Sequence, residues 1–324
     1  MCYHFLYLLQ EVSMRQFDGI HHISCIASST KQTHYFYKQV LGLRLVKKSV
    51  NHDDVSAYHL FFADHVGSIG TSITFFVYPD KPYKISGSNS IDRIGFRVLT
   101  NESVQFWKDR LERLNVLTYD IDVRFNVLGF DFEDHDGIRL RITSDENMIS
   151  KKGVPSTHDN IPLQHAILGL GQVDLRVHDR QTMHTWLVDH LKFLHHTTYQ
   201  NTRLYFSHID RNDTRISVTT DHAPSEISGY GSIHHIALCA TSKHHLQEAM
   251  DAFTILGYVN SQIIDRFYFF SIYVREHNRI LFEFATDHPG FAIDESIDNL
   301  GKTLSLPPFL EPFRNQIEDE IETI

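Results

Sequence analysis

The sequence predicts an α+β fold in which a βαβββ module occurs four times and the modules pair around a cleft. Two observations predict this fold class. The phrase IHHIS at 20–24 returns as IHHIA at 233–237. The following order occurs four times: a short strand-like segment, an amphipathic helical segment, and then several strand-like segments rich in β-branched and aromatic residues. A helix covers only one face of such a module, so the other face needs a second module and a cleft forms between the sheets.

The first module begins with GIHHISCIA at 19–27. A helix is predicted over 30–41, with Ser29 or Thr30 as its N-cap and Gly42 as the left-handed residue that ends it. Three strand-like runs follow, namely LRLVKKSV, SAYHLFFAD and TSITFFVYP. Asn, Asp and Gly residues bound these runs, as expected for strands joined by turns.

The other three modules repeat this order with different side chains. The second begins at Ile91 and has a predicted helix over 102–114. The third begins near Gly171, and the fourth repeats the paired histidines at 231–240 before a helix that stops at Gly257. The repetition predicts one architecture for all four segments.

The modules predict a division into two domains and a tail. Modules one and two form the first domain, 17–150, and modules three and four form the second, 165–290. The segment 149–168 contains Pro155, Pro162 and Gly153 and is the predicted linker. Residues 291–324 form a C-terminal tail, whose last part is predicted to be a short surface helix without a chemical role.

The overall composition narrows the function classes. The net charge of −10 argues against a nucleic-acid surface, and no apolar run approaches the length of a membrane span. Three cysteines provide no disulfide framework and favour the cytoplasm. No GxSxG, P-loop or HExxH motif is present. A homo-oligomer remains open, as does translation from Met1 or Met14.

Overlaying the modules gives two columns of equivalent positions. The first-strand column is His22, Arg93, Gln172 and His235. The last-strand column is Phe76, Arg141, Ser217 and Glu283. Only modules one and four retain metal ligands, so His22, His235 and Glu283 are predicted to hold one divalent metal. Two histidines and a carboxylate are typical of Fe(II) oxygenases, although zinc hydrolases use the same set.

Strand alternation predicts which histidine of each pair is the ligand. His235 shares a face with the small residues Ala237 and Cys239, and His22 has the corresponding position. His21 and His234 then lie on the opposite face and pack there or contact the ligands.

The segment DRFYFFSIYVR supplies two further candidates, Tyr273 and Arg266. A turn brings this strand beside Glu283, where a phenol could transfer a proton and a guanidinium could neutralise an anion. A packing role for Tyr273 and a surface position for Arg266 are the alternatives. Tyr268 has the opposite parity and is expected to lie away from the site.

The four-module plan, with FYKQVLGLRLVKKSVN after the first strand, resembles the vicinal oxygen chelate superfamily of glyoxalases, extradiol dioxygenases and antibiotic-resistance proteins. IHHIS, IHHIA, DRFYFFSIYVR, RILFEFATDHPGFAIDE and LPPFLEP more narrowly resemble ring-cleaving dioxygenases that act on hydroquinones. This resemblance covers about 17–312.

The resemblance implies a glyoxalase-like fold with the metal in its cleft. It also implies Fe(II), or Mn(II) in some members, on the three predicted ligands. The residues that it places around the substrate are His21, His234, Tyr273 and Arg266. The implied activity is extradiol-type ring cleavage of a small aromatic substrate with O2, in aromatic degradation or quinone detoxification.

Two other functions remain open at this point. One is a glyoxalase-type isomerase or lyase, which often uses a fourth protein ligand where Phe76 was placed. The other is a metal-free resistance protein that binds an aromatic compound.

Overall fold

The computed structural model describes residues 14–146, 153–207 and 214–322. Within these ranges, a strand, a helix and three strands follow one another four times. Module one contains β1 (Ile20–Ala27), α1 (Thr30–His34), β2 (Arg44–Asn51), β3 (Asp54–Ala63) and β4 (Ser72–Val77). Module two contains β5 (Ser90–Val98), α2 (Asn101–Arg113), β6 (Asp122–Arg124), β7 (Val127–Glu133) and β8 (Arg139–Ser144).

The second half has the same order of elements. Module three contains β9 (Gly169–Val177), α3 (Arg180–His184), β10 (Leu194–Tyr199), β11 (Thr202–Phe206) and β12 (Arg215–Thr220). Module four contains β13 (Ile233–Ala240), α4 (Lys243–Ile255), β14 (Ile264–Asp265), β15 (Phe269–Arg275) and β16 (Leu281–Pro289). The helix α5 (Arg314–Glu320) is the short helix predicted for the tail.

Local side-chain hydrogen bonds start the helices. Oγ of Ser29 accepts the backbone N–H three residues later, which satisfies one of the free donors of the first turn. The helix predicted over 30–41 is divided, because α1 continues as a π-helical segment, Tyr35–Val40. Module three repeats this arrangement with Thr185–His190. Gly42 follows the π-helical segment of module one with a φ of +72°.

Backbone hydrogen bonds join the modules in a particular order. β1 pairs with β13 in antiparallel fashion, so modules one and four share a ladder. β5 pairs with β9, so modules two and three share another. Within each module, the first strand pairs in parallel with the last. This topology places the first and last modules side by side although they are far apart in sequence.

Two buried tryptophans hold helical segments against the sheets. Trp186 stacks on Phe253 of α4, with ring centroids 5.3 Å apart. Nε1 of Trp107, on α2, donates a hydrogen bond to the carbonyl of His165 at 2.7 Å. Removing a buried aromatic ring of this size costs about 3–5 kcal/mol of stability, so both rings are important for the arrangement of the modules.

The segment after β16 crosses back onto module one. Lys47 on β2 is fully buried, and its Nζ donates to Asp294 at 2.7 Å and to Glu295 at 2.5 Å. A buried ammonium group needs such partners, because removal from water disfavours an unpaired charge. The tail therefore provides the counter-charges for a lysine in the first quarter of the chain.

The division into 17–150, 165–290 and 291–324 remains a prediction, since strand pairs join the two halves. Residues 149–152 of the predicted linker and residues 1–13 before Met14 lie outside the described ranges. No helix in the described ranges has both the length and the apolar character needed to cross a membrane.

Candidate active site

Three neighbouring strands bring His22, His235 and Glu283 together. His22 on β1 is the register partner of Ala237 on β13, and Ala237 is also the partner of Glu283 on β16. The small alanine leaves space between the two longer side chains. His235 lies two residues before Ala237, and its side chain enters the same space. All three predicted ligands are buried, with exposures of 3% or less.

The three ligand atoms form a compact triangle. Nε2 of His235 lies 2.8 Å and Nε2 of His22 lies 3.2 Å from Oε2 of Glu283. The two nitrogens are 3.3 Å apart. Ligands on adjacent corners of an octahedron, each about 2.1 Å from a cation, are about 3.0 Å apart. The triangle therefore has the dimensions of one face of a metal coordination sphere.

The carboxylate of Glu283 supports the same interpretation. Its Oε1 accepts a hydrogen bond from Ser271 Oγ. Its Oε2 is buried and accepts no hydrogen bond of suitable geometry from any described residue. Burial alone would raise the pKa of Glu283, but His22 and His235 hold it well below its usual range. A buried, ionised oxygen without a hydrogen bond is costly unless a cation is bound, so the residues fit a divalent metal.

Two β-bulges place the first histidine of each pair. His21 is the extra residue where the β1–β13 register shifts between Ile20 and His22. His234 is the extra residue at the second shift, opposite Ser24 and Cys25. A bulge turns two consecutive side chains towards the same side. The expectation from simple alternation was therefore wrong for His234, which lines the cavity beside His235.

Each first histidine forms a hydrogen bond with the predicted ligand that follows it. The Nδ1 atoms of His21 and His22 are 2.8 Å apart, and those of His234 and His235 are also 2.8 Å apart. Burial, followed by the effect of His22, lowers the pKa of His21 to about 3. Burial, followed by the effect of His235, lowers the pKa of His234 to about 3. Both rings are therefore neutral at pH 7.

The hydrogen bonds of His21 determine which atom of His22 is free. Nε2 of His21 lies 3.1 Å from the carbonyl oxygen of Thr286, which can only accept, so Nε2 carries the hydrogen. In a neutral ring, Nδ1 of His21 then accepts the hydrogen of His22 Nδ1. Nδ1 of His22 therefore carries a hydrogen, and Nε2, which is directed at Glu283, is the nitrogen available to a metal.

Tyr273 and Arg266 lie on the other side of the carboxylate. Tyr273 on β15 is the register partner of Glu283, and its ring centroid is 5.8 Å from that of His235. Nε of Arg266 donates to the Tyr273 hydroxyl at 3.3 Å. Burial, followed by the charge of Glu283, holds the pKa of Tyr273 well above its usual range, so the phenol is protonated.

Arg266 links the site to module one. Its Nη2 lies 3.0 Å from Oδ2 of Asp53, in the turn between β2 and β3. Burial alone would lower the pKa of Arg266, but Tyr273 and Asp53 raise it overall. The guanidinium is therefore a fixed positive charge that contacts both Asp53 and the phenol beside the ligand triangle.

Two further expectations from the sequence are wrong. Tyr268 lines the cavity, and its hydroxyl donates to Asp294 at 3.1 Å. It precedes β15 and follows Phe267, whose φ of +70° breaks the alternation. Phe76 is not the module-one equivalent of Glu283. Glu283 is the parallel partner of Ala237, and the module-one equivalent of Ala237 is Ser24. The parallel partner of Ser24 is Thr74, so Thr74 is the true equivalent of Glu283. The overlay was displaced by one pleat.

Among the described residues, modules two and three bring no group of metal ligands together at the equivalent place. Arg93 and Arg141 occupy positions equivalent to His22 and Glu283, and both contact Asp131. Nε of Arg93 also lies 2.8 Å from Oδ2 of Asp174. In modules two and three, ion pairs therefore occupy the place that corresponds to the ligand triangle of modules one and four.

A cavity of about 280 Å³ surrounds the ligand triangle. The aromatic residues in its wall are Phe61, Phe76, Tyr78, Tyr268, Phe269 and Tyr273. Ser49 and His59 also line it, and the sequence analysis did not identify them. The alternation of SAYHLFFAD places His59 on the same face as Phe61, but no motif marks that face as part of a site. His21 contacts His22 and Phe269 without lining the cavity.

Comparison with known proteins agrees with this fold. Residues 19–142 match the Glyoxalase/Bleomycin resistance protein/Dioxygenase superfamily. MhqA of Bacillus subtilis, named as a ring-cleaving dioxygenase, is 38% identical over 95% of this chain and 99% of its own length. The chlorohydroquinone/hydroquinone 1,2-dioxygenase of Sphingobium indicum is 26% identical over 93% of this chain and 94% of its own length.

A solved structure extends the similarity to three dimensions. A crystal structure of a Bacillus subtilis protein described as a dioxygenase superposes with a TM-score of 0.91 at 32% identity. The match covers 96% of this chain and 98% of that protein. Sequence and fold therefore lead to the same assignment. The chain belongs to the ring-cleaving dioxygenases of the glyoxalase/bleomycin resistance protein/dioxygenase superfamily.

Proposed function

We propose that this protein is an Fe(II)-dependent, extradiol-type dioxygenase that opens the ring of a hydroquinone or a related phenol. The observation that carries the proposal is the triangle of His22, His235 and Glu283 in the wall of a cavity rich in aromatic residues. Two imidazoles and one carboxylate on one face of a cation are the ligand set of non-haem Fe(II) oxygenases. Mn(II) also accepts nitrogen and oxygen donors and is the alternative metal.

The cavity supports a small aromatic substrate. Its volume of about 280 Å³ suits a single substituted ring, and six aromatic side chains form much of its wall. The relative from Sphingobium indicum is named for hydroquinone cleavage. The sequence features of this chain resemble the same group of enzymes.

The chemistry divides between the metal and four side chains. When bound, Fe(II) would supply the Lewis acidity that favours a phenolate and the redox chemistry that allows O2 to react with the ring. His21 positions His22 through their Nδ1 atoms. His234 and Tyr273 line the cavity, where they hold the substrate and exchange protons with it. No external reductant is needed, since electrons of the ring reduce the dioxygen.

Arg266 and Tyr273 act together in this scheme. The guanidinium donates to the phenol oxygen, so the phenol hydrogen is available to a group in the cavity. The fixed positive charge of Arg266 stabilises negative charge that develops on the reacting oxygens. The four residues proposed to assist the reaction are thus His21, His234, Tyr273 and Arg266.

The proposed cellular setting is the cytoplasm, in aromatic degradation or quinone detoxification. Cys25 is a buried thiol, and three cysteines provide no disulfide framework, which suits a reducing compartment. A net charge of −10 does not favour a nucleic-acid partner. A homo-oligomer remains compatible with the proposal.

The proposal is tested by loading the protein with Fe(II) under nitrogen and measuring oxygen consumption with hydroquinones and catechols. Mass spectrometry after reaction in 18O2 should find both labelled atoms in a ring-opened product. Parallel samples with Mn(II) and Zn(II) identify the metal that supports turnover. Absence of oxygen uptake with all phenols after verified iron loading would overturn the proposal.

A further inference from the structure

A second polar group of residues lies in the cavity wall and has no part in the ligand triangle. Ser49 on β2 and His59 on β3 are register partners. Side chains of directly opposite residues lie on the same face of a sheet, within contact distance. Both residues line the cavity. They belong to the β2–β3 hairpin of module one, whereas the ligands lie on β1, β13 and β16.

Ser49 is buried without a hydrogen-bond partner. The residue is 1% exposed, and its Oγ contacts no suitable donor or acceptor among the described residues. A hydroxyl group loses its hydrogen bonds to water on burial, so an unpaired one destabilises the fold. A ligand with its own hydroxyl group would restore the missing hydrogen bond.

His59 has a fixed position, and one of its two ring nitrogens is available to a ligand. Its Nε2 lies 3.0 Å from Thr74 Oγ1, which in turn lies 2.7 Å from Ser24 Oγ. The ring packs against Phe61 and Phe76, with centroids 4.0 and 4.2 Å away. Its Nδ1 makes no hydrogen bond with any described residue. Burial, followed by the effect of His52, holds the pKa of His59 well below its usual range, so the ring is neutral.

Phe76 separates this pair from the ligand triangle. Its ring centroid is 4.2 Å from that of His59 and 6.4 Å from that of His235. His59 and His235 themselves make no ring contact. Ser49 and His59 therefore form a polar part of the cavity wall apart from the ligand triangle, with the Phe76 ring between the two. Other polar residues also line the cavity, namely Asn51, His52, Asp53, Lys81, His234 and Arg266. A single benzene ring with an oxygen at each end would present one oxygen to the triangle and one to the pair.

We propose that Ser49 and His59 bind the second hydroxyl group of the substrate, para to the one that faces the ligand triangle. This inference rests on the proposed function and assigns the specificity for 1,4-diols to two residues. A phenolic hydroxyl both donates and accepts, which matches a serine hydroxyl beside a neutral imidazole. A 1,2-diol would place both oxygens near the triangle and leave Ser49 and His59 unpaired.

Binding measurements under nitrogen test the pair without turnover. Equilibrium dialysis of the Fe(II)-loaded protein compares hydroquinone with 4-methylphenol, in which a methyl group replaces the second hydroxyl. We expect Ser49→Ala and His59→Phe each to weaken hydroquinone binding about tenfold, the effect of one lost hydrogen bond. Binding of 4-methylphenol should change less than twofold. Equal losses for both ligands, or no loss for either, would overturn the inference.

Stability provides an independent readout for Ser49. Removing a hydroxyl that has no partner should leave the thermal midpoint of the metal-free Ser49→Ala protein unchanged or raise it. Ser103→Ala is the matched control, because Ser103 is equally buried but lies within 3.0 Å of His165 Nδ1. Ser103→Ala should lower the midpoint and leave hydroquinone binding unchanged. A lower midpoint for Ser49→Ala would assign Ser49 a structural role and contradict the inference.

The two proposals can fail separately. If the iron-loaded protein consumes no oxygen with any phenol, the proposed function fails, whereas the binding preference still tests Ser49 and His59. If hydroquinone is cleaved and both variants retain the native preference over 4-methylphenol, only the assignment of the specificity pair fails.

Discussion

Tyr273 and Glu283 are register partners on adjacent antiparallel strands, so the phenol lies directly beside the only carboxylate of the ligand triangle. Tyr273→Phe removes the hydroxyl and keeps the ring. We expect kcat to fall about ten- to a thousandfold, the range for one positioned proton-transfer or stabilising group. Iron content should be unchanged. Steady-state kinetics and metal analysis on one preparation provide the measurement.

Tyr258→Phe is the control for this substitution. Tyr258 is also buried, but it packs against Trp186 and does not line the cavity. Its kcat and KM should match those of the unmodified protein. Near-normal kinetics for Tyr273→Phe would remove that residue from the mechanism, and a raised KM with unchanged kcat would indicate a role in substrate binding alone.

The ligand triangle predicts metal-dependent stability. Fe(II) added under nitrogen should raise the thermal midpoint of the native protein, because a ligand that binds only the folded state stabilises it. His22→Ala, His235→Ala and Glu283→Gln should each abolish this increase and the bound iron. His195→Ala, at an exposed histidine outside the cavity, should behave like the native protein. A retained increase in His22→Ala would show that modules one and four do not share a metal.

The ion pair between Asp53 and Arg266 predicts a positioning effect. Asp53 is 71% exposed at the side chain, so the pair is a weak one, and Asp53→Asn should lower kcat only about two- to fivefold. Asp53→Glu should restore most of the activity because it restores the charge. If Asp53→Asn and Asp53→Glu are equally impaired, the charge on Asp53 does not position Arg266.

The charge cluster of modules two and three predicts a pH-dependent stability. Burial alone would raise the pKa of Asp131, but Arg93 and Arg141 lower it overall. Its contribution is therefore present above the unfolded-state pKa, about 3.9, and is lost as the pH falls through the lower folded-state pKa. Asp131→Asn should lower the free energy of unfolding by about 3–5 kcal/mol at pH 7, and the difference should shrink below about pH 3.9.

Denaturant unfolding of both proteins from pH 7 to pH 3 measures this change. Asp109→Asn, at an exposed position on α2, is the control and should match the native protein at each pH. A difference between Asp131→Asn and the native protein that stays constant across this range would contradict the pKa argument.

Repetition explains why the sequence predicted the fold and the ligand triangle. His22 and His235 have the same place in two modules, and Glu283 ends the last strand of one of them, so a comparison within the chain was sufficient. The bulges at His21 and His234 could not be predicted, because a bulge adds a residue without a characteristic motif.

The pairing register of the strands was the other feature that could not be predicted from the sequence. Phe76 was predicted at the position where the structure places Thr74. This error of two residues, one full pleat, preserves the face of the strand, so hydrophobic alternation cannot reveal it. Ser49 was missed because a serine between two strand residues has no distinguishing pattern, and only the structure brings it opposite His59.

The contact of Lys47 with Asp294 and Glu295 has a consequence for the order in which the protein is made. β2 is synthesised long before residues 294 and 295. The ammonium group of Lys47 therefore has no access to the carboxylates of Asp294 and Glu295 until synthesis has passed residue 295. Likewise, His22 cannot contact Glu283 until β16 has been synthesised. A nascent or interrupted chain therefore cannot complete the three-ligand site before β16 has been made, and a metal at this site would be held by all three ligands only after that point.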